Sequence, residues 1–287
     1  MMRKIAVTGA TGFVGKHLVG FLKSLDDVRV IAVGRSEERL RELKTDYVVH
    51  DINRQDPDCF ERLERPELLI HLAWEGLPNY NELFHVERNL MGNFRFLGDM
   101  IRAGLPCLTV AGTCYEYGLQ SGCLGEDTQP APTTCYGIAK DALRRLLEAL
   151  RKGHDFRLVW ARLFFLHGAG QHPRSLIPQL DAAIDAGADT FDMSGGEQLR
   201  DYLPVAEAAA LIARLSLLTE PDGIYNICSG LPVSVRNLVE QRIRQRGSTI
   251  HPNFGAFPYP VHEPMAYWGD DMRLRRALDV TAKEPAC

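Results

Sequence analysis

A doubly wound α/β fold on a parallel sheet, with a smaller C-terminal lobe, is predicted by three features of the 287-residue chain. Apolar, β-branched runs alternate with helix-period segments from residue 4 onward, the pattern of successive βαβ units. A glycine-rich turn, "GATGFVG", stands between the first run and the first helix. After Gly168 the alternation gives way to loops, prolines and aromatic residues, which suit a lobe closing over a ligand better than a repeating core.

"KIAVT" (4–8) is the first strand, and "KHLVGFLKSL" has the apolar spacing of a helix packed on a sheet. "VRVIAVG" is a second buried strand, "SEERLREL" a polar helix, "DYVVHDI" a third strand and "PELLIHLAW" a fourth. Residues 79–104 read as one long helix closed by Gly104. "PCLTVAGT" is a fifth strand, and after a loop a helix opens at "CYGIAKDALRRLLEALRK". "FRLVWARLFFLHG" is a sixth strand. Beyond it lie a loop and helix, a strand edge and helix around "RDYLPVAEAA", and a strand "GIYNICSG". Residues 1–165 are thus expected to form the Rossmann-type lobe and 166–287 mainly the second lobe. The chain should return to the first over about 201–228.

Composition narrows the function classes. Hydrophobic residues at 45% and charged residues at 24% are ordinary for a soluble globular protein. A formal net charge of −4 gives no reason to expect nucleic acid or an anionic membrane as partner. The longest apolar runs fall far short of a membrane span. Seven cysteines, an odd count without a CxxC pair, indicate neither a zinc site nor a disulfide framework. The N-terminus turns glycine-rich before a signal-peptide core can form, so a reduced, cytoplasmic protein is expected.

The turn "TGATGFVG" places Gly9, Gly12 and Gly15 between strand and helix. A tight turn needs positive φ, a pyrophosphate needs bare backbone, and the helix must approach the sheet closely. Backbone N–H groups and the helix dipole then face the phosphates. At the end of the second strand an acid would bond a ribose 2′-OH, whereas an Arg accommodates a 2′-phosphate. Here Arg35 and Ser36 occupy the spot, which favours NADP (NADPH) and leaves NAD as the alternative. Glu37 or Glu38 could instead pair with Arg35. Asp51 and Ile52, after the third strand, are placed to meet the adenine.

Tyr136 and Lys140 stand at i and i+4, side by side on a helix face. A tyrosine with an ordinary pKa of about 10 is a poor acid–base near neutrality, and a neighbouring ammonium is expected to lower it. Thr113 closes the fifth strand, at the carboxyl edge where open α/β sheets bind ligands, and could polarise a carbonyl.

In this order the motifs resemble the extended short-chain dehydrogenase/reductase superfamily, which includes nucleotide-sugar epimerases, dehydratases and ketoreductases. The resemblance is carried by "TGATGFVG", "HDI", "HLAW", "NLMGNFRFL", "TVAGTCYEYG", "CYGIAK", "ARLFFLHGAGQ", "RDYLPVAEAA" and "YNICSG", from about residue 4 to 230. It implies proton exchange by Tyr136, a Lys140 that also holds the nicotinamide ribose, and a Thr113 that orients the substrate oxygen. It further implies cofactor contacts from Thr11, Phe13 and Val14 in the first turn. Leu72, Ala73 and Trp74 after the fourth strand, and Asn89, are implied in the same role. A nucleotide-sugar substrate would meet Cys114, Tyr115, Phe165 and Arg200. Arg200 equally reads as a structural ion pair with Asp201 or another carboxylate. Asp271 and Arg273 sit roughly where the family has a pair near substrate, or else on a solvated helix face. The resemblance leaves room for a homodimer.

The departures matter as much. The 4,6-dehydratases carry an Asp–Glu pair directly after the catalytic Thr; this chain has Cys114 and Tyr115, which argues against dehydration. Phe165 replaces a common Asn, and His167 a common Tyr, so the pocket should be more apolar. Trp74 replaces a small residue and could stack on a sugar or nicotinamide, or fill the lobe interface. Cys135 beside Tyr136 reads as a packed thiol, since no base is identifiable for it. The chain ends at "DVTAKEPAC", short of the usual family ending. "HLAW" and "YGIAKDALR" particularly resemble bacterial reductases of 4-keto-6-deoxy nucleotide sugars. The expected activity is therefore an NADPH-dependent C4 ketoreductase. A 4-epimerase with bound NAD is the alternative, and an NADP-binding sensor without turnover the third reading.

Overall fold

The computed structural model describes residues 2–259 and 263–278; the unusual ending at 279–287 lies outside the described residues. The first lobe runs β1 (Arg3–Thr8), α1 (Phe13–Leu22), β2 (Val28–Gly34), α2 (Glu37–Arg41), β3 (Asp46–Val49), α3 (Cys59–Arg62) and β4 (Leu68–His71). A π-helical turn (His85–Leu90) leads into α4 (Met91–Arg102), then β5 (Cys107–Thr113), a 3-10 turn (Cys114–Tyr117), β6 (Gly122–Leu124), α5 (Cys135–Leu150) and β7 (Arg157–Leu163). The remainder is β8 (Phe165–His167), α6 (Leu176–Asp185), β9 (Thr190–Met193), β10 (Leu199–Pro204), α7 (Val205–Leu217) and β11 (Gly223–Ile227). It closes with β12 (Pro232–Ser234), α8 (Val235–Gln245), β13 (His251–Phe254), β14 (Tyr267–Gly269) and α9 (Met272–Ala277).

Seven strands form one wholly parallel sheet in the order β11-β7-β5-β4-β1-β2-β3, as the alternating pattern requires. Burial on both faces explains why these strands are near-continuous apolar runs. One core lies between the sheet, α1 and α7, around Leu18, Leu22, Ile212 and Leu215. The other lies under α4 and α5, around Phe96, Leu97, Leu143, Leu147 and Trp160. Strand order reverses between β1 and β4, which opens a crevice at their carboxyl ends.

The structure departs from the sequence reading in two places. The expected sixth strand is two strands: β7 pairs with β5 and β11, whereas β8 pairs with β10 in a three-stranded sheet with β12. Phe164 is the switch between sheets, buried against Tyr117 and Tyr267, and an unbroken apolar run gives no sign of it. Phe165 therefore opens β8 beside β10, while α7 and β11 pack back on the seven-stranded sheet. The helix expected over 79–104 begins only at His85. Residues before it are held in turns because the Tyr80 carbonyl accepts from the Tyr136 N–H (2.9 Å) and the Tyr80 ring stacks on Tyr115, 4.6 Å between centroids.

Candidate active site

The glycine turn is built as the sequence suggests. Gly9 has φ +68, and a Cβ there would stand 2.8 Å from the Ala73 nitrogen. Gly12 donates to the Gly9 carbonyl (2.9 Å), and a side chain at Gly15 would run into Gly9 and Ala10. The Leu72 N–H reaches Thr8 O (3.2 Å), so the segment after β4 lies along the same crevice. Phe13 and Val14, at the start of α1, form one wall of the cleft described below. The bare backbone, the following helix N-terminus and the crevice fit a dinucleotide.

At the end of β2, Arg35 is exposed and ion-paired with Glu75, not with Glu37 or Glu38. Glu75 also receives Arg88 (2.8 Å), while Glu37 pairs with Arg41. Ser36 caps α2, accepting from the Arg39 N–H. Arg39, which sequence reasoning missed, reaches back to the Thr11 carbonyl at 3.1 Å. Its place four residues after Arg35 was the available signal. Arg35 and Asp51 line a common cleft with Arg54 and Arg62, while Ile52 packs on the α4 core. The Asn89 amide is buried and donates to the Glu75 carbonyl (3.0 Å), bracing the loop that carries Trp74.

Among the described residues the metal-type grouping is His50, Asp56 and Cys59. Arg62 already sits on the Asp56 carboxylate, so the grouping functions as an ion pair beside a packed thiol.

Thr113, Tyr136 and Lys140 meet at the carboxyl end of β5. Thr134 caps α5, accepting from the Gly137 N–H (3.1 Å), and this sets the register that turns Tyr136 and Lys140 inward. Thr113 lies beside the Tyr136 hydroxyl and favours its ionised form. The expected effect of Lys140 on Tyr136 is corrected here. Burial among Tyr80, His85, Trp74 and Tyr115 pushes the phenol far above its ordinary value and outweighs Thr113, which lowers it. Lys140 is itself 2% exposed, and burial pushes its amine down to about 7. Its Nζ donates to the Ala111 carbonyl (2.8 Å) and lies 4.0 Å above the Trp74 ring. Trp74, partly exposed, packs on the pair.

Behind Thr113 lies a device the sequence reading did not predict. Glu116, fully buried, accepts from the Thr113 N–H (2.8 Å), Trp160 Nε1 (2.9 Å) and Arg162 Nε (2.7 Å). The signal was two charged residues inside otherwise apolar runs, which must pair if buried.

The cleft in front of the pair has a volume of about 690 Å³. Thr113, Cys114, Tyr115 and Phe165 line it, together with Tyr80, His167, His172 and Tyr202. As expected from Phe165, it is largely apolar, and none of its lining residues is Lys, Arg, Asp or Glu. Cys114 is a buried thiol, pushed up to about 12 by burial, 3.8 Å from the Tyr267 hydroxyl. The Tyr115 hydroxyl donates to Glu263 (2.6 Å).

Two implied substrate residues do not line the cleft. Arg200 is buried between the Phe165 and Tyr267 rings and donates to Glu263 (2.9 Å), the structural pairing that sequence allowed, though not with Asp201. Asp201 instead accepts from Ser229 and Gly230. Arg273 lies at the opposite, amino edge of the sheet, 4.9 Å from the Tyr225 ring and near the Asp222 carbonyl. Leu274 buries into the β11 side of the core and directs its neighbour there, and Asp271 pairs with Arg275.

The sequence model of the NAD dependent epimerase/dehydratase family matches residues 5–228, which include the glycine cradle, Thr113, Tyr136 and Lys140. The chain belongs to that family. It is an NAD(P)-dependent family enzyme, and no helix among its described residues is long and apolar enough to cross a membrane. It is 28% identical over 268 residues to the dTDP-6-deoxy-L-talose 4-dehydrogenase (NAD(+)) of Aggregatibacter actinomycetemcomitans, covering 92% of this chain and 98% of that one. It is 25% identical over 256 residues to the GDP-6-deoxy-D-mannose reductase of Pseudomonas aeruginosa, covering 84% and 79%. Its fold is similar to that of MoeE5 in complex with UDP-glucuronic acid and NAD, with a TM-score of 0.83, 26% identity, and coverage of 98% of this chain and 94% of that one.

Proposed function

We propose that the protein is an NADPH-dependent reductase of a nucleotide-linked 4-keto-6-deoxy sugar. The observation that carries the reading is the buried, protonated Tyr136 beside Thr113, facing an apolar cleft next to the glycine cradle. A reductase needs a proton donor at the carbonyl oxygen, and a phenol held far above its ordinary pKa keeps that proton ready. Thr113, fixed through Glu116, orients the carbonyl oxygen towards Tyr136. Lys140 holds the nicotinamide ribose. NADPH, which the Gly9–Gly15 turn would hold, would supply the hydride. Arg35 takes the 2′-phosphate by exchanging Glu75 for it, and Arg39 braces the same end.

Phe165, Leu166 and Tyr202 offer an apolar wall to a 6-deoxy methyl group. The two relatives are named for chemistry on 6-deoxy nucleotide sugars, one of them at position 4. Cys114 and Tyr115 stand where dehydration would need acids, and neither is ionised at neutral pH.

The test is incubation with deuterium-labelled NADPH and a dTDP-, GDP- or CDP-linked 4-keto-6-deoxyhexose. Deuterium at C4 with one NADPH consumed per product supports the reading. Epimerisation of a non-keto nucleotide sugar with no net NADPH use would establish the epimerase instead. Cofactor binding without turnover on any keto-sugar would favour a sensor.

A further inference from the structure

We propose that Trp74 is a positioning residue whose indole face holds the Lys140 ammonium in place beside Tyr136. The inference rests on the reading of Lys140 given above. Lys140 has given up nearly all its water, yet among the described residues no carboxylate lies within salt-bridge distance of it. A buried ammonium with a single carbonyl partner is short of stabilisation. The indole supplies what is missing, because its electron-rich face lies 4.0 Å from Nζ. The same ring meets Tyr136 edge-on, 5.9 Å between centroids at 66°, so one side chain touches both members of the pair.

The orientation of the ring is itself fixed. Trp74 Nε1 donates to His85 Nδ1 (3.0 Å), and His85 Nε2 stands 3.0 Å from the Asn79 carbonyl. Both bonds can form together only in the neutral imidazole carrying its proton on Nε2. Burial lowers the His85 pKa and keeps it in that form. Asn79, His85 and Trp74 therefore form a relay of two hydrogen bonds that ends on the cation. Other ionisable groups facing Lys140 do not replace the indole. His71 is fully buried and pushed down to about 3, so it is neutral; Tyr136 is protonated; Glu116 attracts Lys140 through space while committed to Thr113, Trp160 and Arg162.

Fluorinated tryptophans test this without changing shape, since each fluorine drains charge from the ring face. The protein is made with tryptophan, fluorotryptophan or difluorotryptophan and with lysine 13C-labelled at Cε. The Lys140 resonance, assigned by its absence in Lys140→Met, is titrated in cofactor-free protein. NADPH affinity is measured by nucleotide fluorescence. Across the series the Lys140 midpoint should fall by about one pH unit in total, and NADPH binding at pH 7 should weaken in the same order. In a Trp74→Phe background, where only Trp160 and Trp268 carry fluorine, neither reading should respond. A midpoint indifferent to fluorination, or an equal response in the Trp74→Phe background, would overturn the inference. Neither readout involves sugar turnover. A fluorine-dependent midpoint would thus support the role of Trp74 even if the keto-sugar assay failed.

Discussion

Replacing Lys140 by Met should stabilise the protein while disabling it. Met is of similar length and carries no charge, so it removes the penalty of burying an ammonium. That amine falls from an ordinary 10.5 to about 7, chiefly through burial. At about 1.36 kcal/mol per pH unit, the penalty approaches ~5 kcal/mol as an upper bound. Loss of the charged hydrogen bond to Ala111 offsets about 1.5–3 kcal/mol of this. A net gain of about 2–3 kcal/mol is expected at pH 6. The pH dependence follows from the direction of the shift. Below pH 7 both folded and unfolded lysine are protonated and the penalty is complete. Between pH 7 and 10 the unfolded chain binds the extra proton, so wild-type stability rises with pH relative to the variant. The advantage of Lys140→Met should therefore shrink by about 1.4 kcal/mol per pH unit and be lost near pH 9. Urea unfolding of both cofactor-free proteins at pH 6, 7.5 and 9 measures it. A variant no more stable than wild type at pH 6, or a difference that does not change with pH, would refute the reasoning. The same variant should bind NADPH weakly and turn over little.

Tyr136→Phe keeps the ring in its aromatic cage but removes the proton donor, so cofactor affinity should survive while turnover falls by about 100-fold or more. Arg35→Asp should cost NADPH binding about 1.5–3 kcal/mol and reverse much of the preference over NADH. Glu75→Gln releases Arg35 from its competing carboxylate and should tighten NADPH binding; calorimetry with both cofactors reads both variants, and equal affinity of the wild type for the two would remove the NADP assignment. Glu116→Gln strands the buried Arg162 guanidinium and should destabilise the fold by about 3–5 kcal/mol in urea. Adding Arg162→Met should recover much of that loss, whereas a Glu116→Gln protein as stable as wild type would show the ion pair to be dispensable.

The alternation that makes a parallel α/β sheet, the glycine cradle and the shared face of Tyr136 and Lys140 were legible in the chain because each is local or periodic. A strand–turn–helix fixes its own phosphate-facing backbone, and an i,i+4 pair shares a face wherever its helix lies. The depression of Lys140 and the protonation of Tyr136 were not legible, because ionisation follows from desolvation, which depends on everything packed around a group. Trp74 shows the same limit: its place after "HLA" was visible, but its bond to His85 and its contact with Lys140 join three separate segments. For Arg200 and Arg273 the sequence left two readings open, a ligand contact or a structural or solvated place, for a related reason. A cation in a strand or on a short helix carries no mark of whether it faces ligand or an internal carboxylate. Only the arrival of Glu263 from 63 residues further along decided that for Arg200. The split between β7 and β8 was likewise decided in three dimensions, since Phe164 changes sheets without a proline or glycine to announce it. The alternation of strands and helices was thus set by sequence alone, whereas the break between β7 and β8, and the charge state and facing of the buried polar groups, were set by tertiary packing.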